Sequence, residues 1–452
     1  MANDPNTIQY VIQEDGFWYI ASKEKNPYVP YITVSAKGVA NGLSTEYNDG
    51  YDFGPDSYNP SVTSGVPLTQ TSGFLEAWDY SQNIGLANGG HSPVISFTAG
   101  SFDITAATTL NFVKGGGSPT VIGSGSGIGT YINCKVNDAY ALTINPANGS
   151  GYNIVFNGLV PIYPSGYTPY GFLNADFSTA NAGSNTFISY DLNIGNNGWG
   201  QSAVYLDSFQ SVLMFNFENY SGGNDGLTVN NSLFEIHGGY INGNMSLSSC
   251  NYVYIEVASL GTTIKVGNIT TLIAIGTSPH FVLTGDIQNI YLGATILNPY
   301  DSGTVVQSVS STIYNIGNLI CEGVYYDYTN SMDFIGSGIT LGNVDIKNVI
   351  DVNGTLTLPI LTTTVSGTTA GSFVASMPER NNKYKKVLIY LDGYENDSTT
   401  AQTYTYPVPF STVAAITSNT ASVPVVSTSL TEFSIAPDTT TAYTGIIVIE
   451  GY

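Results

Sequence analysis

Four residues in the middle of the chain have the side-chain types that acid–base chemistry on a sugar linkage requires. Asp225 lies in the glycine-flanked run Gly223–Gly226, and Asp207, Glu235 and His237 lie on either side of it in the sequence. Inverting glycoside hydrolysis needs one protonated and one ionised carboxyl group flanking the scissile bond. Asp225 together with Asp207 or Glu235 could supply that pair, with His237 beside it.

The surrounding motifs are similar to those of polygalacturonase-like hydrolases. Asn224 and Asp225 resemble the Asn-x-Asp element of that family, and His237 with its following glycines resembles the Gly-His-Gly element. The family's paired aspartates are absent, and its Arg-x-Lys substrate clamp cannot form because the only arginine is Arg380. We therefore commit to no catalytic residue, and we interpret His237 first as a structural residue.

Lyase chemistry has even less support. A lyase needs a strong base, usually Arg or Lys, together with groups that neutralise a uronate carboxylate. Lys265 and Lys347 are the only lysines between residues 136 and 382. If the protein is an enzyme, the composition favours a glycoside hydrolase over a lyase.

Glycan binding without cleavage needs only aromatic faces and polar rims. Tyr and Trp rings stack on sugars, and Asn, Asp and Tyr side chains hydrogen-bond the sugar hydroxyls. The longest predicted coils, around residues 157 to 200, contain or adjoin five such residues. The candidate glycan-binding residues are Trp199, Tyr205, Tyr163, Tyr167 and Tyr170.

Asn-x-Ser/Thr sequons are common in this chain. A host that glycosylates its surface proteins would modify the exposed ones. The sequons lie at Asn148, Asn219, Asn230, Asn244, Asn268, Asn353 and Asn396.

The charge balance excludes several classes of partner. The 452 residues carry 33 Asp and Glu against 11 Lys and Arg, a formal net charge of −22. Nucleic-acid binding needs clustered cations, and an anionic membrane surface would repel this chain. No run approaches 18 apolar residues, so we expect no membrane insertion. Three widely separated cysteines have no metal-like spacing, and we predict buried thiols with neither metal nor cofactor.

Short alternating strands broken by glycine-rich corners recur for about 250 residues from Val94. Each run buries one face only, so stacking in parallel coils is the arrangement that gives every strand two neighbours. Phe215, Ile236, Ile255, Ile273, Tyr291 and Tyr314 lie 18 to 23 residues apart and are predicted as equivalent positions on successive coils. This period predicts a three-sided solenoid over residues 31–350.

The entry to this region has its own pattern. A strand from Ile32 precedes a Gly/Asp/Tyr-rich loop, and a helix is predicted over Gly73–Ile84, with Ser72 at its start and Gly85 past its end. The corner Ala99–Ile104 and the glycine turn Ile122–Gly125 follow.

Over residues 31 to about 135 this order resembles pectate-lyase-like right-handed parallel β-helices, including those of viral tailspikes. The resemblance implies a right-handed solenoid whose N-terminal helix caps the open end. The entry loop lacks the usual Gly-Asp-Gly and consecutive aspartates, which is a departure from the family pattern.

The two ends of the chain differ from its middle. Residues 1–30, with an aromatic run at 17–20, are predicted as a docking segment or as a first strand that caps the solenoid. Residues 351–372 form a Thr-rich neck. Residues 373–452 are predicted as an antiparallel β-sandwich, with a turn at Asp392-Gly393.

The terminal module resembles the terminal domains of viral tail fibres, on Lys385–Leu391, Thr405–Phe410 and Ile447–Tyr452. The two resemblances imply a virion spike or tail-fibre protein at the virion surface, which is a homotrimer, binds other virion proteins through its N-terminal segment and attaches to host cell-surface glycans. The alternatives are a polysaccharide-cleaving β-helix enzyme and a cellular adhesin or surface-layer component.

Overall fold

The structure is a computed structural model of the 452-residue chain. The described residues are 7–14, 17–24, 31–36, 53–55, 69–87, 89–125, 129–146, 151–178, 184–195, 198–220, 225–259, 263–277, 280–293, 295–297, 304–309, 312–326, 330–346, 349–351, 356–357, 361–365, 372–378, 385–396, 401–405, 410, 414–419, 425–436 and 438–451.

The chain divides into two compact units, residues 1–285 and 286–452. Both are built from β-strands, and the described residues contain one helix, Phe74–Ala87. The strands from Tyr31 to Thr357 pair in parallel, which confirms the prediction of an all-β chain with long parallel sheets. The boundary between the units falls inside the region 31–350 that the sequence predicts as one solenoid.

The first unit contains three parallel sheets. Strands from different coils lie side by side in each sheet, so every coil contributes to more than one sheet. Sheet 1 consists of Tyr31–Val34, Val94–Phe97, Thr120–Ile122, Asn153–Asn157, Thr186–Tyr190, Ser211–Asn219, Leu233–Ile241, Tyr252–Ser259 and Ile269–Thr277, with Asn193–Ile194 paired to Ser211–Asn219. Sheet 2 consists of Thr108–Asn111, Tyr140–Asn145, Gly171–Asp176, Val204–Asp207, Leu227–Asn230, Met245–Ser248, Thr263–Gly267 and His280–Leu283. Sheet 3 consists of Gly100–Ile104, Thr130–Cys134 and Leu159–Ile162.

Buried side chains stack from coil to coil between these sheets. The alternation of the strands turns every second residue inward, and register partners on successive coils therefore meet. One inward row of sheet 1 is Ile154, Phe187, Val212, Phe234, Val253 and Leu272. One inward row of sheet 2 is Leu142, Leu173, Val204, Leu227, Met245, Ile264 and Phe281. Each such side chain contributes about 1.5–3 kcal/mol by leaving water.

The register confirms part of the predicted coil period and corrects the rest. Ile236 pairs with Ile255 as predicted. Met214, rather than Phe215, is the partner of Ile236, and Ala274, rather than Ile273, is the partner of Ile255. A slip of one residue moves a side chain to the opposite face of the strand. Phe215 and Ile273 therefore lie on the outer surface instead of in the interior.

The predicted equivalence of Tyr291 and Tyr314 is also wrong, by more than one residue. Tyr291 pairs with Ile320, and Tyr314 pairs with Ile339. These coils of the second unit are longer than 18 to 23 residues, because Tyr291 and Ile320 are 29 positions apart in the sequence.

Left-handed backbone residues form the corners of the coils. Asp191 and Asn216 have φ of 48° and 51° at equivalent positions of neighbouring coils, and the peptide N–H of Asp191 donates to the carbonyl of Phe215. A second series of positive-φ corners lies after sheet 2, at Ser208, Asn231, Ser249 and Asn268. Asn and Asp tolerate this region better than most residues because their short side chains bond locally.

The helix Phe74–Ala87 contacts the first strands of sheets 1 and 2. The Trp78 indole N–H donates to the carbonyl of Asn111 at 3.0 Å, and the rings of Phe74 and Phe97 lie 5.0 Å apart. Both Phe74 and Trp78 are completely buried. The predicted helix is therefore present, and its apolar face packs on the first coil.

Both ends of this helix differ from the prediction. Thr71 caps the N-terminus, since its hydroxyl accepts the N–H of Leu75 at 3.0 Å, whereas the Ser72 hydroxyl accepts the N–H of Asp103 at 2.8 Å. Gly85 lies inside the helix, which continues to Ala87. Gly85 is required there by contact, because a Cβ would lie 1.6 Å from the carbonyl oxygen of Gly116.

The predicted corner Ala99–Ile104 is also explained by contact. Gly100 has φ of 137°, and a Cβ there would lie 2.4 Å from the Cβ of Ala36. This turn therefore accepts only glycine without a shift of the chain before it.

At the N-terminus, Thr7–Glu14 and Phe17–Glu24 pair as an antiparallel hairpin. The aromatic run at 17–20 lies in its second strand. Whether the hairpin docks onto another protein stays a prediction.

The second unit begins with parallel strands. They form three short ladders, which consist of Ile287–Leu292, Tyr314–Cys321 and Ile339–Ile346; of Thr304–Ser308, Met332–Ile335 and Leu356–Thr357; and of Thr295–Ile296, Val324–Tyr326 and Val349–Asp351.

Two antiparallel sheets follow. The larger consists, in order across the sheet, of Leu361–Val365, Ser372–Pro378, Lys385–Asn396, Asp438–Gly451 and Ala414–Asn419. The smaller consists of Gln402–Thr405, Glu432–Ile435 and Val425–Thr428. Strand Leu361–Val365 lies in the predicted Thr-rich neck, so this part of the neck belongs to a sheet. Asp392-Gly393 is not a turn but lies within Lys385–Asn396, where the register shifts.

We predict that Gly85→Ala lowers the free energy of unfolding by about 2–4 kcal/mol, because the new methyl group must displace the Gly116 backbone. Chemical denaturation of the full chain, followed by tryptophan fluorescence, measures the change. Leu86→Ala is the control, since Leu86 is 51% exposed on the same helix and should change stability by less than about 1 kcal/mol. Equal stabilities for the glycine variant and the unmodified chain would contradict the observed packing.

Candidate functional site

The outer face of sheet 2 carries rows of hydroxyl, amide and carboxylate side chains. One outward row is Thr109, Thr143, Asn174, Tyr205, Thr228, Ser246 and Lys265. The next is Asn111, Asn145, Asp176, Asp207, Asn230 and Ser248. These groups hydrogen-bond neutral polyols without requiring a charged ligand.

Asp207 lies at the end of strand Val204–Asp207 and is an acceptor for three neighbours. The Ser208 hydroxyl and the Asn231 amide donate to Oδ1 at 2.7 and 2.9 Å, and the Tyr205 hydroxyl donates to Oδ2 at 3.0 Å. Burial raises the pKa of Asp207, but the hydrogen bonds from Asn231, Ser208 and Tyr205 outweigh it, so the pKa lies below its ordinary value. Asp207 is therefore ionised and is unsuited to the role of general acid.

Asp225 comes just before strand Leu227–Asn230 and forms an ion pair. The Lys265 ammonium lies 3.1 Å from Oδ1 and 3.3 Å from Oδ2 of Asp225. The carboxylate is mostly buried, with a side-chain exposure of 16%. Its position is thus explained by a structural salt bridge that spans two coils, since strand Met245–Ser248 lies between the strands next to the two residues.

Glu235 and His237 lie on sheet 1, not on the strands that carry Asp207 and Asp225. They are alternate residues of Leu233–Ile241, and His237 Nε2 lies 2.9 Å from Glu235 Oε2. The structure therefore brings His237 to Glu235, and separately Lys265 to Asp225. The four candidate catalytic residues are distributed over two sheets.

Three tyrosines form a group on and beside the outer face of sheet 2. The rings of Tyr140 and Tyr170 meet edge to face at 6.3 Å, and Tyr205 hydrogen-bonds both Asp207 and Asn230. Burial, together with nearby Tyr205, raises the pKa of Tyr140 to about 12. Burial likewise raises the pKa of Tyr205, so the phenols of Tyr140 and Tyr205 stay protonated and available as hydrogen-bond donors and acceptors.

Tyr163 and Trp199 form a second aromatic pair. Their rings lie 4.9 Å apart in an edge-to-face arrangement. Trp199 is only 1% exposed, so it supports Tyr163 and presents no free ring face of its own in this structure. The two pairs are linked through the backbone, because the N–H groups of Gly200 and Gln201 donate to the carbonyls of Pro169 and Tyr170.

Tyr167 lies in the loop between these two groups. Its N–H donates to the carbonyl of Pro164 across a turn, and its side chain is half-buried. Four of the five predicted glycan-binding residues therefore contact another aromatic ring or the Asp207 cluster, and Tyr167 lies in the connecting loop.

The sequons differ in accessibility. Asn219 is completely buried, and its amide donates to the carbonyl of Asn244, so the prediction of glycosylation there does not fit the folded chain. Asn230 and Asn244 are half-buried, whereas Asn268 is exposed at a left-handed corner. Asn148 and Asn353 lie outside the described residues, and the Asn396 side chain is not described.

Sequence reasoning missed several residues of these sites. Tyr140 and Asn231 complete the group around Tyr205 and Asp207, and Tyr254 and Glu256 adjoin His237. Each lies one coil away from the residue that it meets. Only the register of the coils could have identified them, and that register was misassigned by one residue at Phe215.

No family model, curated protein or solved structure matches this chain. In the part of the chain that the structure describes, no three or more His, Cys, Asp or Glu side chains converge as a metal site. Within the same residues, no helix has the length and apolar character to cross a bilayer. The observations that bear on function are therefore the geometry of the coils and the side chains on their outer faces.

We predict that Asp207→Asn destabilises the chain by about 1–3 kcal/mol at neutral pH, because an amide cannot accept all three donors. A lowered pKa contributes stability above the unfolded value of about 3.9, and this contribution is lost as the pH falls through the folded pKa. The stability difference should therefore shrink below about pH 4. Thermal denaturation of the variant and of the unmodified chain, at several pH values between about pH 3 and about pH 7, measures this stability difference.

Asp176→Asn is the matched control, since Asp176 is the exposed register partner of Asp207 and its hydrogen bond is to the nearby N–H of Ser178. A stability difference that grows on acidification would contradict an ionised Asp207.

Proposed function

We propose that this chain is a structural spike or tail-fibre protein of a virion that attaches the particle to glycans or glycoproteins of a host surface. The observation that supports this most is the outer face of sheet 2, where Tyr170 and Tyr205 lie beside long rows of amide and hydroxyl groups. Aromatic rings and neutral hydrogen-bonding groups are the combination that recognises sugars.

The stacked coils are the second observation that supports a structural spike. Inward rows are mainly apolar, and hydrogen bonds along the sheets join each strand to its neighbours on adjacent coils. Such a scaffold holds its surface side chains in fixed register without many charges. It therefore suits a protein that must present a rigid surface outside a cell.

We further propose the handedness of the coils, the capping role of the helix and the packing of the two antiparallel sheets. We infer that the coils wind right-handedly, as nearly all parallel crossovers do. The helix Phe74–Ala87 packs on the first strands of two sheets, where a cap would hide strand edges that otherwise invite aggregation. The two antiparallel sheets after residue 360 would pack as the terminal β-sandwich.

The assembly is proposed on the same basis. A homotrimer would present three copies of the glycan face, and multivalency raises the affinity for a repetitive host surface. The N-terminal hairpin Thr7–Glu24 would bind other virion proteins. Host surface glycans are the proposed external partner.

We predict that the double variant Tyr163→Ala, Tyr170→Ala binds its glycan about thirtyfold more weakly, because each ring contributes about 1 kcal/mol of stacking. Binding of the full chain to an immobilised glycan panel identifies the ligand and gives both affinities. The double variant Tyr131→Ala, Tyr325→Ala is the control, since both residues are exposed and lie on other strands. Equal binding by the two double variants would contradict the assigned face.

We predict that antibodies against this chain label particles in immunogold electron micrographs, and that light scattering gives the mass of three chains. Label confined to cell envelopes would contradict the virion assignment and favour an adhesin or surface-layer component. Release of reducing ends from a bound glycan, lost in Asp225→Ala, would establish a depolymerase instead.

A further inference from the structure

The outer face of sheet 1 carries a ladder of stacked rings. Tyr190 and Phe215 are register partners whose rings lie 5.0 Å apart and nearly parallel, and Phe215 and His237 stack likewise at 5.4 Å. Tyr254 on the next coil continues the ladder, with its ring 5.1 Å from that of His237. Tyr190 is 41% exposed, so the ladder is open to water.

Two carboxylates lie within this ladder. Glu235 Oε2 is 2.9 Å from His237 Nε2, and Glu256 Oε2 is 3.8 Å from His237 Nδ1. Glu256 also accepts the Tyr254 hydroxyl at 3.0 Å and has a side-chain exposure of 53%. Among the described residues, His237 is the only ion-pair partner of either glutamate, so the face carries uncompensated negative charge.

The contrast with sheet 2 separates this face from an ordinary solenoid surface. Outward positions of sheet 2 are mainly Thr, Asn and Ser, whereas one outward row of sheet 1 is Ile188, Leu213, Glu235, Tyr254 and Ile273. A contiguous exposed apolar and aromatic patch marks an interaction surface more often than a single exposed residue does. Carboxylates set among aromatic rings favour a cation, since both groups attract positive charge.

We propose that this face binds glycans whose sugars carry free, protonated amines, with Glu235 and Glu256 pairing the ammonium groups and the ring ladder contacting the sugar rings. The inference goes beyond neutral glycan recognition on sheet 2, and it does not depend on Tyr163, Tyr170 or Tyr205. Charge complementarity carries it, because Glu235 and Glu256 lie on this face and, among the described residues, share His237 as their ion-pair partner.

The repeat of the ladder favours a glycan over a basic peptide. Neighbouring coils are about 4.8 Å apart, which is close to the length of one pyranose unit, whereas an extended peptide presents side chains on one face about 6.7 Å apart. Tyr190, Phe215 and His237 are register partners and so repeat at this coil spacing. Glu235 and Glu256 lie on successive coils and are offset by two residues along the strands, because Glu235 pairs with Tyr254 and Glu256 pairs with His237. Burial, followed by the nearby glutamates, raises the pKa of Tyr252 and of Tyr254, so both phenols remain neutral hydrogen-bonding groups.

Isothermal titration of the full chain with a glucosamine hexamer at about pH 6 tests this. The N-acetylglucosamine hexamer has the same rings without the charge, and we expect it to bind at least about tenfold more weakly. Glu235→Gln with Glu256→Gln should weaken binding of the charged hexamer at least about tenfold. Tyr190→Leu keeps apolar bulk but removes the exposed ring at the end of the ladder, and should weaken binding of the charged hexamer several-fold.

Asp333→Asn with Glu432→Gln is the matched control, because it removes two negative charges from exposed positions elsewhere and should leave the affinity unchanged. Equal affinity for the two hexamers would overturn charge recognition, and this comparison needs no variant. Unchanged binding by the Glu235/Glu256 variant would overturn the assigned face. Tighter binding of hexalysine than of the glucosamine hexamer would overturn the glycan assignment and indicate a basic protein segment.

Discussion

The structure depends on the register between parallel coils. An inward side chain is buried only if the chain returns one strand spacing away with an apolar residue at the equivalent position. Phe187, Val212, Phe234 and Val253 illustrate this, since each contacts its partner on the next coil rather than a distant part of the core. Stability is therefore a sum of contacts between neighbours, and no coil is stable alone.

The corners make this register possible. A coil must change direction at the same place as its neighbours, and left-handed residues such as Asp191 and Asn216 bend the backbone there. The N–H of Asp191 also donates to the carbonyl of Phe215 on the adjacent coil. Where a side chain would collide, as at Gly85 or Gly100, glycine is required for space. The backbone geometry of the corners and the close contacts at glycine together fix the positions of the strands.

Because the inward rows fill the interior, the residue types at the outward positions can differ from one sheet to the other. Sheet 2 presents hydroxyls, amides and an ionised Asp207 that is held by its neighbours. Sheet 1 presents stacked rings with Glu235 and Glu256. The same scaffold therefore offers two chemically distinct surfaces, which is the basis for proposing a neutral glycan ligand on one and a cationic glycan ligand on the other.

The sequence by itself determined the class of fold, because alternation, glycine corners and a shortage of charge are local properties. It also located the helix around Trp78, although both ends of the helix differ from the prediction. It could not determine the register, since the assignments of Phe215 and Ile273 were each wrong by one residue and the period alone does not distinguish neighbouring positions. Only the tertiary structure decided which residues meet across coils, and so placed Asp207 in a hydrogen-bonded cluster and His237 between two glutamates.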